Sequence, residues 1–267
     1  MLFYENQHGR LYHGNCLELM KDIPDGSVDM VLCDLPYGLT NCEWDTKVPL
    51  EPLWEEYKRT CKKNAAILLF GVQSFAIDLI ISNRKDFRYK IIWVKSQKMG
   101  FLDAKRKPLK QHEEILVFYK KSPTYNPQMS KIDDHRDRVQ RNHSNYCEHY
   151  NVKTTTAAPR NGLRYPTDII HFSNWNGIIF GNKNTKENKI NRGNCHPTQK
   201  PVPLLEYLIR TYSNEGETVL DNCIGSGSTV VAAENTGRRW IGIEKEERFC
   251  KIATERIQEA AAQTRLL

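Results

Sequence analysis

The chain has 267 residues, 39% hydrophobic and 27% charged, with a formal net charge of +7. That suffices for one large α/β domain or two small ones and is too apolar for a disordered chain. No apolar run reaches the roughly 20 residues of a membrane span, and the start lacks the basic and apolar stretches of a secretory signal.

Short apolar strands alternate with helical patterns. "RLYHGN" reads as a strand and "CLELMKDI" as a helix. "VDMVLCD" has few alternating polar positions, so it reads as a strand buried on both faces. "PLEPLWEEYKRTCKK" is a helix with proline near its start and basic residues in its last turn. "AAILLFG" is another buried strand, followed by a helix through "QSFAIDLIIS". "YKIIWVK" and "EILVFYK" leave no room for a helix packed between them, which predicts an antiparallel pair.

From Lys121 to Cys195 regular periodicity is lost. The stretch is polar and too long for an ordinary loop in a compact domain, although "TDIIHFSNW" within it reads as ordered. Order returns with "PVPLLEYLIRTY", an amphipathic helix, and "ETVLD", a strand. "GSTVVAAENTG" is a helix ending in glycine. "RRWIGIE" is a strand, and "EERFCKIATERIQEAAAQT" a long last helix. The pattern predicts a Rossmann-like, doubly wound α/β fold with seven strands, mostly parallel, and one antiparallel hairpin.

Two strand ends carry chemistry. The first ends in Asp34, Leu35, Pro36 and Tyr37, a carboxylate, a stiffened turn and an aromatic ring at the tip of a buried strand. The second is "DNCIGSGST", where Gly225 and Gly227 join a strand to a helix. Ligands bind at such carboxyl ends, glycine admits a close approach, and Ser228 or Thr229 is expected to cap the helix. Glu244 ends the next strand about 20 residues on, where an acid meets ribose hydroxyls in nucleotide-binding folds. A third glycine at the dinucleotide spacing is missing, which favours a smaller adenosyl ligand.

The eight cysteines form no CxxC pair and fit reduced, mostly buried thiols in a cytoplasmic protein. His143, Cys147, His149, Cys195 and His196 cluster in sequence but lack paired spacing, so no metal site is expected. Charge is uneven. Residues 1–83 hold 12 acidic against 7 basic residues, whereas basic residues outnumber acidic ones 11 to 4 over 84–120 and 12 to 6 over 121–195. A basic centre between acidic or near-neutral ends suits a polyanionic partner; a solvated loop surface is the plainer alternative.

"DLPY" and "DNCIGSGST" together resemble the S-adenosylmethionine-dependent amino methyltransferases of DNA, whose marks are a D/N/S-P-P-Y/F tetrapeptide and a D-P-F-x-G-S-G-T loop. "HGNCLELMKDIPDGSVDMVLCDLPYG", "YKIIWVKSQ", "KPLKQHEEILVFYKK" and "HPTQKPVPLLEYLI" resemble further family segments. The catalytic tetrapeptide precedes the cofactor loop, the circularly permuted motif order of the beta class.

The resemblance implies a catalytic half over 1–120, a target-recognition insert over 121–195 and a cofactor half over 196–267. It implies Asp34, Leu35, Pro36 and Tyr37 as catalytic residues. For S-adenosyl-L-methionine it implies Asp221, Gly225, Gly227, Ser228, Glu244, Asn15, Thr198 and Lys200; for Lys200, a charge at a helix start is an equal alternative. Trp93 is a second candidate for stacking on the base, beside an ordinary core role.

Double-stranded DNA is the implied partner, with a homodimer and a cognate restriction nuclease as further candidates and no membrane. The setting is the cytoplasm, in a bacterial or phage-encoded protein held at the nucleoid by DNA. The expected reaction is methylation of adenine N6 after base flipping, because Asp at position 34 is commoner for adenine. Alternatives are cytosine N4, an RNA base, a protein glutamine amide, or a noncatalytic nucleic-acid-binding module.

The chain departs from the family pattern in three places. Leu35 replaces a proline whose backbone carbonyl is the working part. Asn222 and Cys223 replace Pro-Phe in the cofactor loop, which loosens one wall. Asn15 stands where an acid often meets the adenine of the cofactor, and an amide hydrogen-bonds there as well.

Overall fold

The apolar run that ends in Asp34 is the central strand of a nine-stranded sheet. The computed structural model describes residues 1–38, 46–131, 146–147, 152–153, 162–174 and 199–264. In chain order the elements are β1 (Leu2–Glu5), β2 (Gly9–His13), α1 (Cys16–Leu19), β3 (Val28–Cys33), α2 (Leu50–Thr60), β4 (Cys61–Gly71) and α3 (Gln73–Ser82). Next come β5 (Phe87–Met99), β6 (Lys110–Phe118), β7 (Ser130–Lys131), β8 (Tyr146–Cys147), β9 (Val152–Lys153), β10 (Leu163–Arg164) and β11 (Ile169–Phe172). The chain ends with α4 (Val202–Tyr212), β12 (Thr218–Asp221), α5 (Ser228–Asn235), β13 (Arg239–Glu244) and α6 (Glu247–Thr264).

The sheet order is β1-β2-β13-β12-β3-β4-β6-β5-β11. Strands β2, β13, β12, β3 and β4 pair in parallel. Strand β6 is antiparallel to both β4 and β5, and β11 is parallel to β5. The predicted antiparallel hairpin is therefore β5–β6, set into a mostly parallel sheet.

Among the described residues, the main sheet has nine strands where the sequence reading expects seven. The additions are edge strands, β1 and β11, each of four residues. Neither carries the continuous apolar run that marks a central strand, so periodicity does not report them. Other boundaries also move. "CLELMKDI" is one short helical turn followed by a 3₁₀ turn at Met20–Asp22. Helix α2 stops at Thr60 because Cys61 is already extended, so "CKK" opens β4 instead of closing the helix.

Strand alternation distributes the core. Met30 and Leu32 of β3 join Leu68, Phe70, Trp93, Val219 and Trp240, packed against Leu204, Leu208, Val230 and Cys250 from α4, α5 and α6. Val31 and Cys33 point the other way, with Leu69, Leu116, Leu220 and Ile243, against Leu53, Tyr57, Phe75 and Leu79 from α2 and α3. Helices thus cover both faces, as a parallel sheet requires. Leu35 buries its side chain in the second cluster.

Residues 1–126 and 168–267 form one compact unit and 127–167 a second. In the second, β7 pairs with β10 and β8 with β9, each antiparallel. The separate unit is narrower than the aperiodic stretch 121–195. Asn126 belongs to the first unit: its N–H donates to the Thr211 carbonyl at 2.8 Å, and its side-chain amide donates to the Arg210 and Ser213 carbonyls. Among the described residues no helix is long and apolar enough to cross a membrane.

Helix α2 shows how the core reaches the functional loops. Leu50, Leu53, Trp54 and Tyr57 recur at helical spacing, and Leu53 and Tyr57 are fully buried. The Tyr57 hydroxyl donates to Asn222 Oδ1 at 2.5 Å, bracing the turn after β12. Tyr57→Phe leaves that buried acceptor without its donor, so stability should fall by about 1–3 kcal/mol. Urea unfolding should then show a lower midpoint with an unchanged slope.

Candidate functional site

Parallel strands β3, β12 and β13 end on one edge of the sheet, and the loops after them enclose a cleft of about 410 Å³. Asp34, Leu35, Pro36 and Tyr37 line one side. Asp221, Asn222, Cys223, Gly225, Ser228 and Glu244 line the other, with Asn15, Lys200 and Phe249. Two strand ends far apart in sequence thus share one cavity.

Asp34 sits in a hydrogen-bonded charge group. Its Oδ1 accepts from the Tyr37 hydroxyl and its Oδ2 from the Lys200 ammonium. Lys200 also lies 3.5 Å from Glu113 Oε2, and Glu113 Oε1 accepts from Lys95. Glu113 projects from β6 and Lys95 from β5. Lys200 lies 4.9 Å from the centroid of the Phe70 ring and 6.0 Å from that of Tyr37. The Tyr37 ring packs on Phe75 with centroids 5.0 Å apart.

The protonation states follow from these contacts. Burial pushes the Asp34 carboxyl upward, the Lys200 ammonium opposes it, and Glu113 adds to the rise; the net direction is up. Burial disfavours the Lys200 cation, but Asp34 and Glu113 outweigh it and hold Lys200 above its ordinary value. Burial likewise opposes ionisation of Glu113, and the charges of Lys200 and Lys95 overcome it, leaving Glu113 below the usual carboxylate range. Burial, reinforced by Asp34, keeps the Tyr37 phenol protonated and a donor.

The glycine turn is held by the acid expected to meet the cofactor. Glu244 Oε2 accepts the Gly225 N–H at 2.8 Å, and Oε1 accepts the Glu246 N–H at 2.8 Å. Gly227 has φ 83°, and a Cβ there would lie 2.8 Å from the Ala253 Cβ, so glycine is required by both backbone and packing. Gly227, not Ser228 or Thr229, is the N-cap of α5, and it makes no side-chain cap bond. The Ser228 hydroxyl instead receives Arg256 at 3.2 Å, and Thr229 bonds Asp221. Burial pushes the Asp221 carboxyl up to about 6. Asp221 Oδ1 accepts the Cys223 N–H at 3.0 Å.

Several expectations change. Lys200 lines the cleft, but its ammonium bonds Asp34 and approaches Glu113. Asn15 caps α1, its Oδ1 accepting the Leu17 N–H at 2.9 Å, while still lining the cleft. Trp93 is 2% exposed, with its indole N–H on the Phe172 carbonyl at 2.9 Å, so it is a core residue and not a surface for a base. Thr198 and the His/Cys cluster at 143–149 and 195–196 lie outside the residues whose side chains are described. Among the described residues no group of His, Cys, Asp and Glu could hold a metal ion.

Sequence reading missed Glu113 and Lys95. The available signal was charge inside "IIWVK" and "HEEILVF", two strands otherwise apolar. It also missed that Cys16, Cys33 and Cys223 interact through their thiols behind the glycine turn. Burial pushes Cys33 up to about 12, so it stays a thiol.

Known proteins resemble this chain in sequence and in fold. The chain is 26% identical to the type II methyltransferase M.BamHI of Bacillus amyloliquefaciens over 99% of its own length, but it spans only 60% of that relative. It is 27% identical to the DNA adenine methyltransferase YhdJ of Escherichia coli, over 97% of this chain and 85% of that one. The fold matches the cytosine-N4-specific PvuII DNA methyltransferase with a TM-score of 0.64 at 17% identity, covering 97% of this chain and 93% of the other. It matches the M1.HpyAVI–SAM complex with a TM-score of 0.58 at 20% identity, covering 93% and 98%. The model for DNA methylases of the N6/N4 type matches residues 28–255, and the chain belongs to that family.

Proposed function

We propose that the protein transfers a methyl group from S-adenosylmethionine to the exocyclic N6 of adenine in duplex DNA, at a specific sequence and after the base has left the helix. The observation that carries the reading is the Asp34 carboxylate at the end of β3, opening into the same cleft as Glu244 and the Gly225 turn. S-adenosylmethionine is the cofactor, and it supplies an electrophilic sulfonium methyl.

The residues present fit that group. A cleft of about 410 Å³ is in the range of small-ligand sites. It offers the Asp221 and Glu244 carboxylates, the strand-to-helix turn at Gly225 and Gly227, and apolar walls from Ile224 and Phe249. Ser228, Asn15 and the segment holding Thr198 complete the proposed cofactor set. Glu244 already accepts two backbone N–H groups, yet each carboxylate oxygen has a second lone pair for a ribose hydroxyl.

The base's amino group is a weak nucleophile because its lone pair is delocalised into the ring. Asp34 and the Leu35 carbonyl accept its two hydrogens and draw it toward tetrahedral geometry. Tyr37 and Lys200 each take one lone pair of the carboxylate, which leaves acceptor capacity on both oxygens. Pro36 biases Leu35 to an extended backbone, and Tyr37 offers an aromatic face at the mouth. Positive charge developing on the amine faces an acceptor already in place, a large electrostatic contribution. Lys200 opposes the upward push of burial on the Asp34 carboxyl and so acts through Asp34.

The basic residues over 84–195 supply phosphate contacts, and the 121–195 stretch is the proposed target-recognition region. Adenine is favoured by Asp at position 34 and by similarity to an E. coli DNA adenine methyltransferase. DNA incubated with the protein and the cofactor should yield N6-methyladenine on nucleoside mass spectrometry. N4-methylcytosine without N6-methyladenine would overturn the choice of base, and methyl incorporation into RNA or protein alone would overturn the choice of substrate.

Asp34→Ala should lower turnover by about 100-fold or more and leave cofactor affinity within about threefold, as isothermal titration would show. Near-normal turnover would refute the two-acceptor reading. Lys200→Met removes the charge that lowers the Asp34 carboxyl, so that carboxyl rises further. Asp34 must be ionised to accept, and activity is lost as pH falls through its value. The acid limb of the kcat–pH profile should therefore move toward neutral pH; an unmoved limb would detach Lys200 from Asp34.

A further inference from the structure

Among the described residues, the tip of the β5–β6 hairpin gathers three exposed large hydrophobic side chains in one short stretch. Met99 is 51% exposed, Phe101 68% and Leu102 104%, within four residues of chain. Isolated exposed hydrophobics are ordinary, but three at the tip of one hairpin call for a partner.

The tip is held by structure. Gly100 is left-handed, and Phe101–Asp103 form a 3₁₀ turn. The turn is closed by Asp103 N–H to the Gly100 carbonyl at 3.0 Å, Arg106 N–H to the Asp103 carbonyl at 2.8 Å and Lys107 N–H to the same carbonyl at 3.1 Å. Phe101 and Leu102 are thus presented outward without further ordering of the backbone.

The setting names the partner. Lys98, Lys105, Arg106 and Lys107 are exposed around the tip, and Asp103, paired with Lys107 at 3.1 Å, is the one acid among residues 98–107. A cationic collar around an apolar point complements a phosphate backbone around stacked bases. The tip also lies on the correct edge of the sheet. Strand β5 runs in the same sense as β3 and β4, since both β4 and β5 are antiparallel to β6. Its carboxyl end therefore leaves the sheet on the same edge as the end of β3, where Asp34 sits, three strands away in the sheet order. Lys95, in contact with Glu113 of the Asp34 charge group, precedes Phe101 by six residues. At about 3.3 Å per residue the tip extends up to about 20 Å beyond it, more than the roughly 8 Å depth of a DNA groove.

We propose that Phe101 and Leu102 form a wedge that enters the base stack of duplex DNA next to the target base, filling space that the flipped base vacates. This rests on the DNA-methylating reading above. Apolar side chains inserted between base steps offset lost stacking and favour the extrahelical state. The surrounding lysines and Arg106 hold phosphates and position the wedge.

The test compares wild type, F101A/L102A and the bulk-restoring F101W/L102M on unmethylated duplex DNA with labelled S-adenosylmethionine. F101A/L102A should lose at least tenfold in kcat/KM, with cofactor affinity and Tm unchanged, because both side chains are exposed. F101W/L102M should recover to within about threefold of wild type. Activity of F101A/L102A within twofold of wild type would overturn the wedge. So would a fall in sedimentation mass accompanying the loss, which would make the tip a contact between copies. Wild type inactive on DNA yet active on RNA or protein would overturn the DNA reading itself and the wedge with it.

Discussion

The site depends on one buried arrangement of charge. Asp34 and Glu113 face the ammonium groups of Lys200 and Lys95, with the Asp34–Lys200 and Glu113–Lys95 hydrogen bonds joined by the Lys200–Glu113 approach. Two acids and two cations balance, so desolvation that would be prohibitive for any one of them is shared. The four residues come from the β3 tip, β5, β6 and the segment before α4. The last of these lies 166 positions from Asp34 in sequence, so the charge balance ties the carboxyl-terminal half of the chain to the amino-terminal half at the place where the chemistry is proposed. The Lys200 ammonium opposes the upward push that burial and Glu113 exert on the Asp34 carboxyl.

The opposite wall follows a different rule. The glycine turn needs backbone freedom, and Gly227 has it at φ 83°. Freedom must then be removed again. Glu244 does so by taking the N–H of Gly225 and of Glu246. Asp221 takes the Cys223 N–H, and Tyr57 reaches Asn222 from across the sheet. Asn222 and Cys223 stand where the family carries Pro-Phe. The Tyr57 hydroxyl bonds Asn222 there, and the Cys16 and Cys33 thiols approach Cys223.

Much of this was legible in the chain. The two apolar runs before Asp34 and Asn222 had to be strands buried on both faces, and a strand buried on both faces ends in a loop at a sheet edge. The resemblance carried by "DLPY" and "DNCIGSGST" joins these two ends in one site. The edge strands were hidden because β1 and β11 are short and mixed in polarity, so pairing, not propensity, makes them strands. The pairing of Lys200 was hidden for a related reason. A lysine before a helix is read locally as a cap or a ligand contact, whereas its true neighbours, Asp34 and Glu113, lie more than 80 residues away in sequence. The partner of a buried charge is a tertiary fact. Glu113 and Lys95 show the same limit from the other side: each is an odd charge on an apolar strand, and only the sheet register puts them together.

Leu35 shows how side chain and backbone divide their work at such a tip. The residue is 2% exposed, and it belongs to the core that α2 and α3 cover. That burial anchors the residue as firmly as a proline ring would. Pro36 restricts the backbone of the residue before it, so Leu35 is fixed from both directions. Leu35 also lines the cleft, and its carbonyl is a group that no substitution of the side chain removes. A tetrapeptide with leucine in place of the first proline therefore keeps the property the proposed chemistry needs, two acceptors at fixed separation. Leucine contributes the anchoring by packing where the family's proline contributes it by ring closure.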